Sequence, residues 1–285
     1  MRIRLLLSLL LLPVFAQAQE LFTVKGRIVN EQGEPVEFVH IGIPKREIGT
    51  ISTVDGRFEI EVPADTLEFH HVSYLIGLYP VSGSKDNVVI VLHENELPPA
   101  VAIGGKTKEK YLVRAGTNIA GGLADYYRPS TASIGQELGS IAKAGKPFLI
   151  KEIRFSVTYN YIPGCVASIN IYRIEGKPES FENILHKPIY VNVAMSEKQQ
   201  DFCIKPDEFI LLEPGKYFIS FQIVSTDEEA VRKYEETPEA ERERYAMHLY
   251  TPLYFKSSYI RHEALGKMEH LPVNIGITVK GLEYQ

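Results

Sequence analysis

From Leu21 onward, apolar and polar residues alternate with a period of two, and turn residues break the pattern about every eight to twelve positions. A period of two sends successive side chains to opposite faces of a strand, whereas a packed helix needs apolar residues three and four apart. The pattern therefore confines the chain to an all-β class, sandwich or barrel. Phe22 to Val29 reads as one strand, closed by the turn Asn30-Glu31-Gln32-Gly33-Glu34-Pro35, and Val36 to Ile43 as the next, stopped by Pro44. Ile48 to Thr53 leads into the turn Val54-Asp55-Gly56, where glycine supplies the positive φ that such turns require. Arg57 to Val62 resumes strict alternation with Phe58, Ile60 and Val62 on the buried side; Leu67 to Tyr74 and Asn87 to Leu92 complete the first set.

Ahead of this pattern, Arg2 and Arg4 precede the apolar run Leu5 to Leu12, then Pro13 and the small-residue site Ala16-Gln17-Ala18. This is the three-part pattern of a secretory signal peptide over residues 1-18, and the run is shorter than the roughly 20 residues of a membrane-spanning helix. Export to the periplasm or cell surface, with outer-membrane association, is expected. No cysteine follows the cleavage site to carry a lipid, and no later stretch is expected to span a bilayer. The formal charge of -5 contains those two arginines, so the exported chain is more acidic and has no basic tract. Nucleic acid is thus an unfavourable partner.

Cys165 and Cys203 are the two cysteines. In an oxidising compartment an even pair is a candidate disulfide, the alternative being two buried thiols.

The landmarks Val24-Lys25-Gly26-Arg27-Ile28-Val29, Gly33-Glu34-Pro35-Val36, Gly49-Thr50, Asp55-Gly56-Arg57-Phe58, Val62-Pro63, Leu67-Glu68-Phe69 and Val72-Ser73-Tyr74 occur in order. Together they resemble the carboxypeptidase-regulatory-like domain, a transthyretin-like β-sandwich often found at the N-terminus of bacterial outer-membrane transporters and other surface proteins. The resemblance implies such a sandwich over residues 19-97. Departures are Thr53, where the family often has an aspartate, and His70-His71 in place of a more typical Ser-Tyr.

Residues 98-110 turn to proline, glycine and charge and read as a linker. TonB-dependent transporters that carry this domain continue into a plug and barrel; about 175 residues follow here, too few for 22 strands, so a transporter is not expected. Residues 111-285 are expected to form a second β-sandwich. Ile169-Asn170-Ile171-Tyr172, Gly176-Lys177-Pro178, Ile189-Tyr190-Val191 and Gly215-Lys216-Tyr217-Phe218-Ile219 resemble the jelly-roll domain that trails the regulatory-like domain in some exported proteins. A charged insertion near 226-245 is helix-compatible, with Thr237-Pro238-Glu239 as a candidate helix start.

The residues offer little chemistry. His93-Glu94-Asn95-Glu96 has the H-x-x-E spacing of a zinc carboxypeptidase, but it sits at the end of a strand and runs into the linker. His262-Glu263 lacks the second histidine of H-E-x-x-H, and there is no G-x-S-x-G elbow, P-loop or G-x-G-x-x-G. No catalytic residue, metal ligand or cofactor is assigned, and the expected function is non-enzymatic binding. Tyr250, Tyr254 and Tyr259, with Tyr245, Phe255 and the pair Tyr159 and Tyr161, are the candidate binding aromatics. An envelope protein or peptide is the expected partner. A glycan is the alternative, disfavoured because sugar-binding sandwiches often present tryptophan and this chain has none. A hydrolase with unidentified carboxylates is the third reading.

Overall fold

The computed structural model describes residues 20–95, 104–115, 126–127, 134–241, 247–249 and 256–285. The signal-peptide reading of residues 1–18 lies outside them. The first sandwich contains β1 (Leu21–Val29), β2 (His40–Ile43), β3 (Ile48–Ile51), β4 (Arg57–Pro63), β5 (Asp65–His70), β6 (Gly77–Val81) and β7 (Lys85–Val91). They form a three-stranded sheet, β4-β1-β7, and a four-stranded sheet, β3-β2-β5-β6. Alternation explains the core between them: Val24, Ile28, Phe58, Ile60 and Val62 point inward from one sheet, and Ile41, Ile43, Leu67 and Phe69 from the other. The sequence reading extended β2 back to Val36. The observed strand starts at His40 because Phe38 adopts φ 50°, which breaks extended backbone.

The second sandwich is larger. Its strands are β8 (Thr107–Val113), β9 (Tyr126–Tyr127), β10 (Glu137–Ala144), β11 (Phe148–Asn160), β12 (Cys165–Glu175), β13 (Ser180–Asn183) and β14 (Tyr190–Val193). They are followed by β15 (Gln200–Ile204), β16 (Leu211–Leu212), β17 (Gly215–Ser225), β18 (Met247–Leu249), β19 (Ser258–Arg261), β20 (Glu269–Leu271) and β21 (Ile277–Tyr284). One sheet runs β13-β12-β17-β10-β19-β20 with β14 also on β12; the other runs β8-β21-β11-β18-β9 with β15 and β16 also on β11. Ile153, Phe155 and Val157 of the second sheet meet Ile169, Ile171, Ile219 and Phe221 of the first in one core. β8 begins inside the stretch read as linker and pairs with the final strand.

Within the charged insertion, the α-helix α1 (Glu228–Glu236) lies ahead of the helix start its sequence suggested. Asp227 is its N-cap, its carboxylate accepting hydrogen bonds from the N–H groups of Glu229 (2.8 Å) and Ala230 (3.3 Å). Thr237 lies past the C-terminal end, donating its hydroxyl to the Lys233 carbonyl at 2.6 Å. A separate 3₁₀ turn does open at Glu239, where Thr237-Pro238-Glu239 suggested a helix start, with the Glu241 N–H on the Pro238 carbonyl at 2.8 Å; the α-helix is a different element that starts after Asp227.

Candidate functional site

Strand register brings polar residues from four neighbouring strands into one row. Arg261 of β19 lies opposite Glu137 of β10, Glu137 opposite Gln222 of β17, and Gln222 opposite Ser168 of β12. All four point away from the apolar core of their own sandwich, yet all are buried. Glu137 accepts hydrogen bonds from Asn170 Nδ2 (2.9 Å), the Ser220 hydroxyl and the Tyr172 hydroxyl (3.2 Å), and pairs with Arg261 at 3.5 Å. The Arg261 guanidinium also lies 5.3 Å from the centre of the Tyr172 ring. Burial and the adjacent Glu137 push the Tyr172 phenol far above its ordinary range, so it acts here only as a neutral donor.

The first sandwich covers one end of this row. Within its four-stranded sheet, Ile41 and Ile43 face the core, so His40 and Gly42 face the second sandwich. His40 Nε2 meets Gln222 Oε1 at 2.8 Å, and Gln222 Nε2 donates to the Gly135 carbonyl at 2.9 Å. Around that bond Phe38, Ile51, Val224 and Ala264 form a small apolar cluster, with Phe38 edge-on to Tyr190 at 4.9 Å. Ala264 is held between two glycines: a Cβ on Gly49 would sit 1.8 Å from the Ala264 carbonyl oxygen, and one on Gly135 2.7 Å from its nitrogen. Gly135 is also at φ 92°, where a side chain is strained. At the other end, Ser73 donates to the His186 carbonyl at 3.0 Å, His71 Nε2 lies 3.4 Å from the Tyr190 hydroxyl, and Val72 packs on the larger core. The junction is thus built from both sandwiches, with polar and apolar parts interleaved.

Outside the junction, the first sandwich has two open edges on one flank. β6 ends one sheet and β7 the other, and Gly77 of β6 lies against Leu92 and Ile90 of the β7 segment. Leu75, Ile76, Leu78, Val89 and Val91 are exposed, Leu78 (67%) on the outer face of the β6 sheet and Val89 (63%) on the outer face of the β7 sheet. Pro80 leaves β6 without one backbone donor. β7 has no proline; it begins with Lys85 and Asp86 and is irregular at Asn87 (φ 58°). Past its end the Leu75 N–H bonds to the His93 carbonyl at 2.9 Å, so 88–91 is the part whose outer edge pairs with no strand among the described residues.

The structure redistributes the candidate aromatics. Tyr250, Tyr254, Tyr245 and Phe255 lie outside the described residues. Tyr259 does not belong to a surface platform: it is buried in β19, edge-on to Phe181 and Phe218, with its hydroxyl bonded to Glu179 and Lys216. The reason is its place inside a sheet, between β10 and β20, under the cover of β13. Tyr159 and Tyr161 do come together, rings 5.2 Å apart, and Tyr159 stacks on His248 at 4.2 Å. All three rings are half-buried. His93 pairs with Glu31 at 2.8 Å on the exposed surface, Glu94 bridges to Tyr74, and Glu96 lies outside the described residues. Among the described residues no three His, Cys, Asp or Glu side chains are grouped to hold a metal, and no helix is long and apolar enough to cross a membrane.

The candidate disulfide is not formed. Cys165 and Cys203 are both free, Cys165 buried and Cys203 exposed. Cys165 turns into the core of the larger sandwich, whereas Cys203, between the half-buried Phe202 and Ile204, turns outward by the strand alternation. Cys203 lines an open groove of about 350 Å³ with Arg154, Ser156, Asp201 and Thr278, where the Ser156 hydroxyl donates to Asp201 at 2.6 Å. Burial pushes the Cys165 thiol up to about 12. An aromatic disulfide reagent added to the folded chain is expected to release one equivalent rapidly, and the second only in denaturant. Two rapid equivalents, or none before reduction, would contradict this assignment.

An all-β protein of two packed sandwiches is the class these observations define. Over 111 residues the chain is 33% identical to TonB-dependent receptor P3 of Formosa agariphila; the match covers 37% of this chain and 11% of the receptor. No family model matches. Among solved structures, it is similar to a DUF3823 family protein from Bacteroides ovatus, with a TM-score of 0.21 and 11% identity over 72% of this chain and 97% of that one. It is also similar to a chain of the T13 particle of the virus IBDV, with a TM-score of 0.31 and 9% identity over 92% of this chain and 61% of that one. At these scores neither structural likeness carries an argument.

Proposed function

We propose that the chain is an exported, non-enzymatic envelope protein whose first sandwich, of carboxypeptidase-regulatory-like type, docks an extended segment of another envelope protein. The observation that carries this reading is the open β7 edge over 88–91, with Val89 and Val91 exposed on the outer face of its sheet. Lysine, proline and bulges on an edge oppose pairing, and in β7 Lys85 and the irregularity at Asn87 lie at its first residues, so strand addition is available to the rest of the strand, 88–91. The segment similar to a TonB-dependent receptor supports placing the protein among outer-membrane partners. The exported chain is used as bait on cross-linked envelope fractions, beside a Val89→Lys/Val91→Lys variant. The reading expects a protein recovered by the first and lost with the second, and equal recovery by both would overturn it.

A second reading, glycan binding, is favoured by the contact of Tyr159, Tyr161 and His248 at one end of the larger sandwich. Its test is a glycan array with Tyr161→Ala. A signal lost in the variant would support it, and no signal from the parent chain would discard it.

A further inference from the structure

We propose that the junction between the two sandwiches is an acid-operated latch, closed while His40 and His71 are neutral and released when they take up protons. His71 Nδ1 lies 3.2 Å from the backbone N–H of Ser73 and accepts its hydrogen bond, so that nitrogen carries no proton in the closed state. Its Nε2–H is directed to the Tyr190 hydroxyl of the second sandwich. A second proton on the ring can go only to Nδ1, where it would face the Ser73 N–H donor to donor. His40 uses Nε2 as donor to Gln222 Oε1, an oxygen that also accepts from Asn170 Nδ2 at 3.2 Å. Its second proton would go to Nδ1, placing a full charge on a half-buried ring within reach of the Arg261 guanidinium.

The charged groups around the two rings add to this. Facing His40 are His70 of β5, its direct ladder partner, which is paired with Glu68 at 2.8 Å; Arg261 of β19; and Glu137 of β10. Arg261 and His70 oppose a charge on His40, and Glu137 favours it, but that carboxylate is already engaged by Arg261, Asn170, Ser220 and Tyr172. Facing His71 are His40, Tyr74 at a ring distance of 5.2 Å, and Tyr190, beside which lies Glu37. Burial holds both imidazoles below their ordinary range, His71 down to about 4. The sign follows: a base whose closed-state pKa is depressed favours closure above its ordinary value of about 6.5, and that contribution is lost as pH falls from there toward about 4.

The two sandwiches have separate apolar cores, so release need not unfold either. Hydrogen exchange on the exported chain between pH 7.5 and 4, corrected for the intrinsic pH dependence of exchange, reads this directly. The Ser73 amide, whose acceptor is His71 Nδ1, is expected to lose protection by tenfold or more with a midpoint between about 4 and 6.5, while β2, β11, β12 and β17 keep theirs. A His40→Gln/His71→Asn variant, which keeps a Gln222 donor and a Ser73 acceptor without a titratable ring, is expected to stay closed to pH 4. Junction protection unchanged at pH 4, loss of junction and core protection together, or the same midpoint in a folded variant would each overturn the proposal. If the variant does not fold, the wild-type exchange pattern alone decides.

Discussion

Replacing Glu137 with alanine is expected to lower the unfolding free energy by about 3–5 kcal/mol, read as a shifted midpoint in urea. The magnitude is that of breaking a buried ion pair from one side, where the partner is left charged in a dry site. Arg261 is that partner, and its Nε already has no hydrogen-bond acceptor, so little remains to receive the guanidinium once the carboxylate is gone. Asn170, Ser220 and Tyr172 would lose their common acceptor at the same time. Two further variants separate charge from hydrogen bonding. Glu137→Gln keeps an acceptor and should lose less, and Glu137→Leu with Arg261→Met should regain only the part due to the stranded guanidinium, because Asn170, Ser220 and Tyr172 still lack their acceptor. A single-site loss under 1 kcal/mol would mean that the polar row is not organised around this carboxylate.

The second large effect is expected at Gly49. Its position is open on the surface of the isolated first sandwich and closed only by Ala264 of the second. A Cβ 1.8 Å from a backbone carbonyl cannot be relieved by a rotamer change, so Gly49→Ala must displace the segment around Ala264, at a cost of about 1–3 kcal/mol for overpacking. Hydrogen exchange should show the loss at the junction and not in either core. Unchanged protection at residues 71–73 would show that the junction does not depend on this approach.

The strands themselves were legible in the sequence where alternation was strict. Phe58, Ile60 and Val62 are buried as their spacing required, and β1 and β4 fall close to the expected bounds. The junction was not legible, because alternation reports two faces and not what covers them. Ser168, Asn170, Ser220 and Gln222 occupy positions that pattern alone assigns to solvent. The available signal was their chemistry: neutral, compact hydrogen-bonding side chains where an exposed face usually carries lysine or glutamate. Tyr259 misled for a related reason, since aromatic side chains serve half-buried strands as readily as recognition surfaces. The cysteines failed on direction, as two residues on strands of facing sheets bridge only if both turn inward. β6 went unread because Leu75-Ile76-Gly77-Leu78-Tyr79-Pro80-Val81 mixes apolar residues on both faces. That irregularity was the trace of the exposed edge.

The most direct measurement of the account is site-specific photo-cross-linking in living cells, with the photoreactive residue placed at Val89, at Val91, at Glu61 on the opposite edge strand, or at Tyr161. The account predicts one discrete adduct from positions 89 and 91 and none from 61. Adducts from 161 with none from 89 or 91 would contradict it, moving recognition to the aromatic end of the second sandwich.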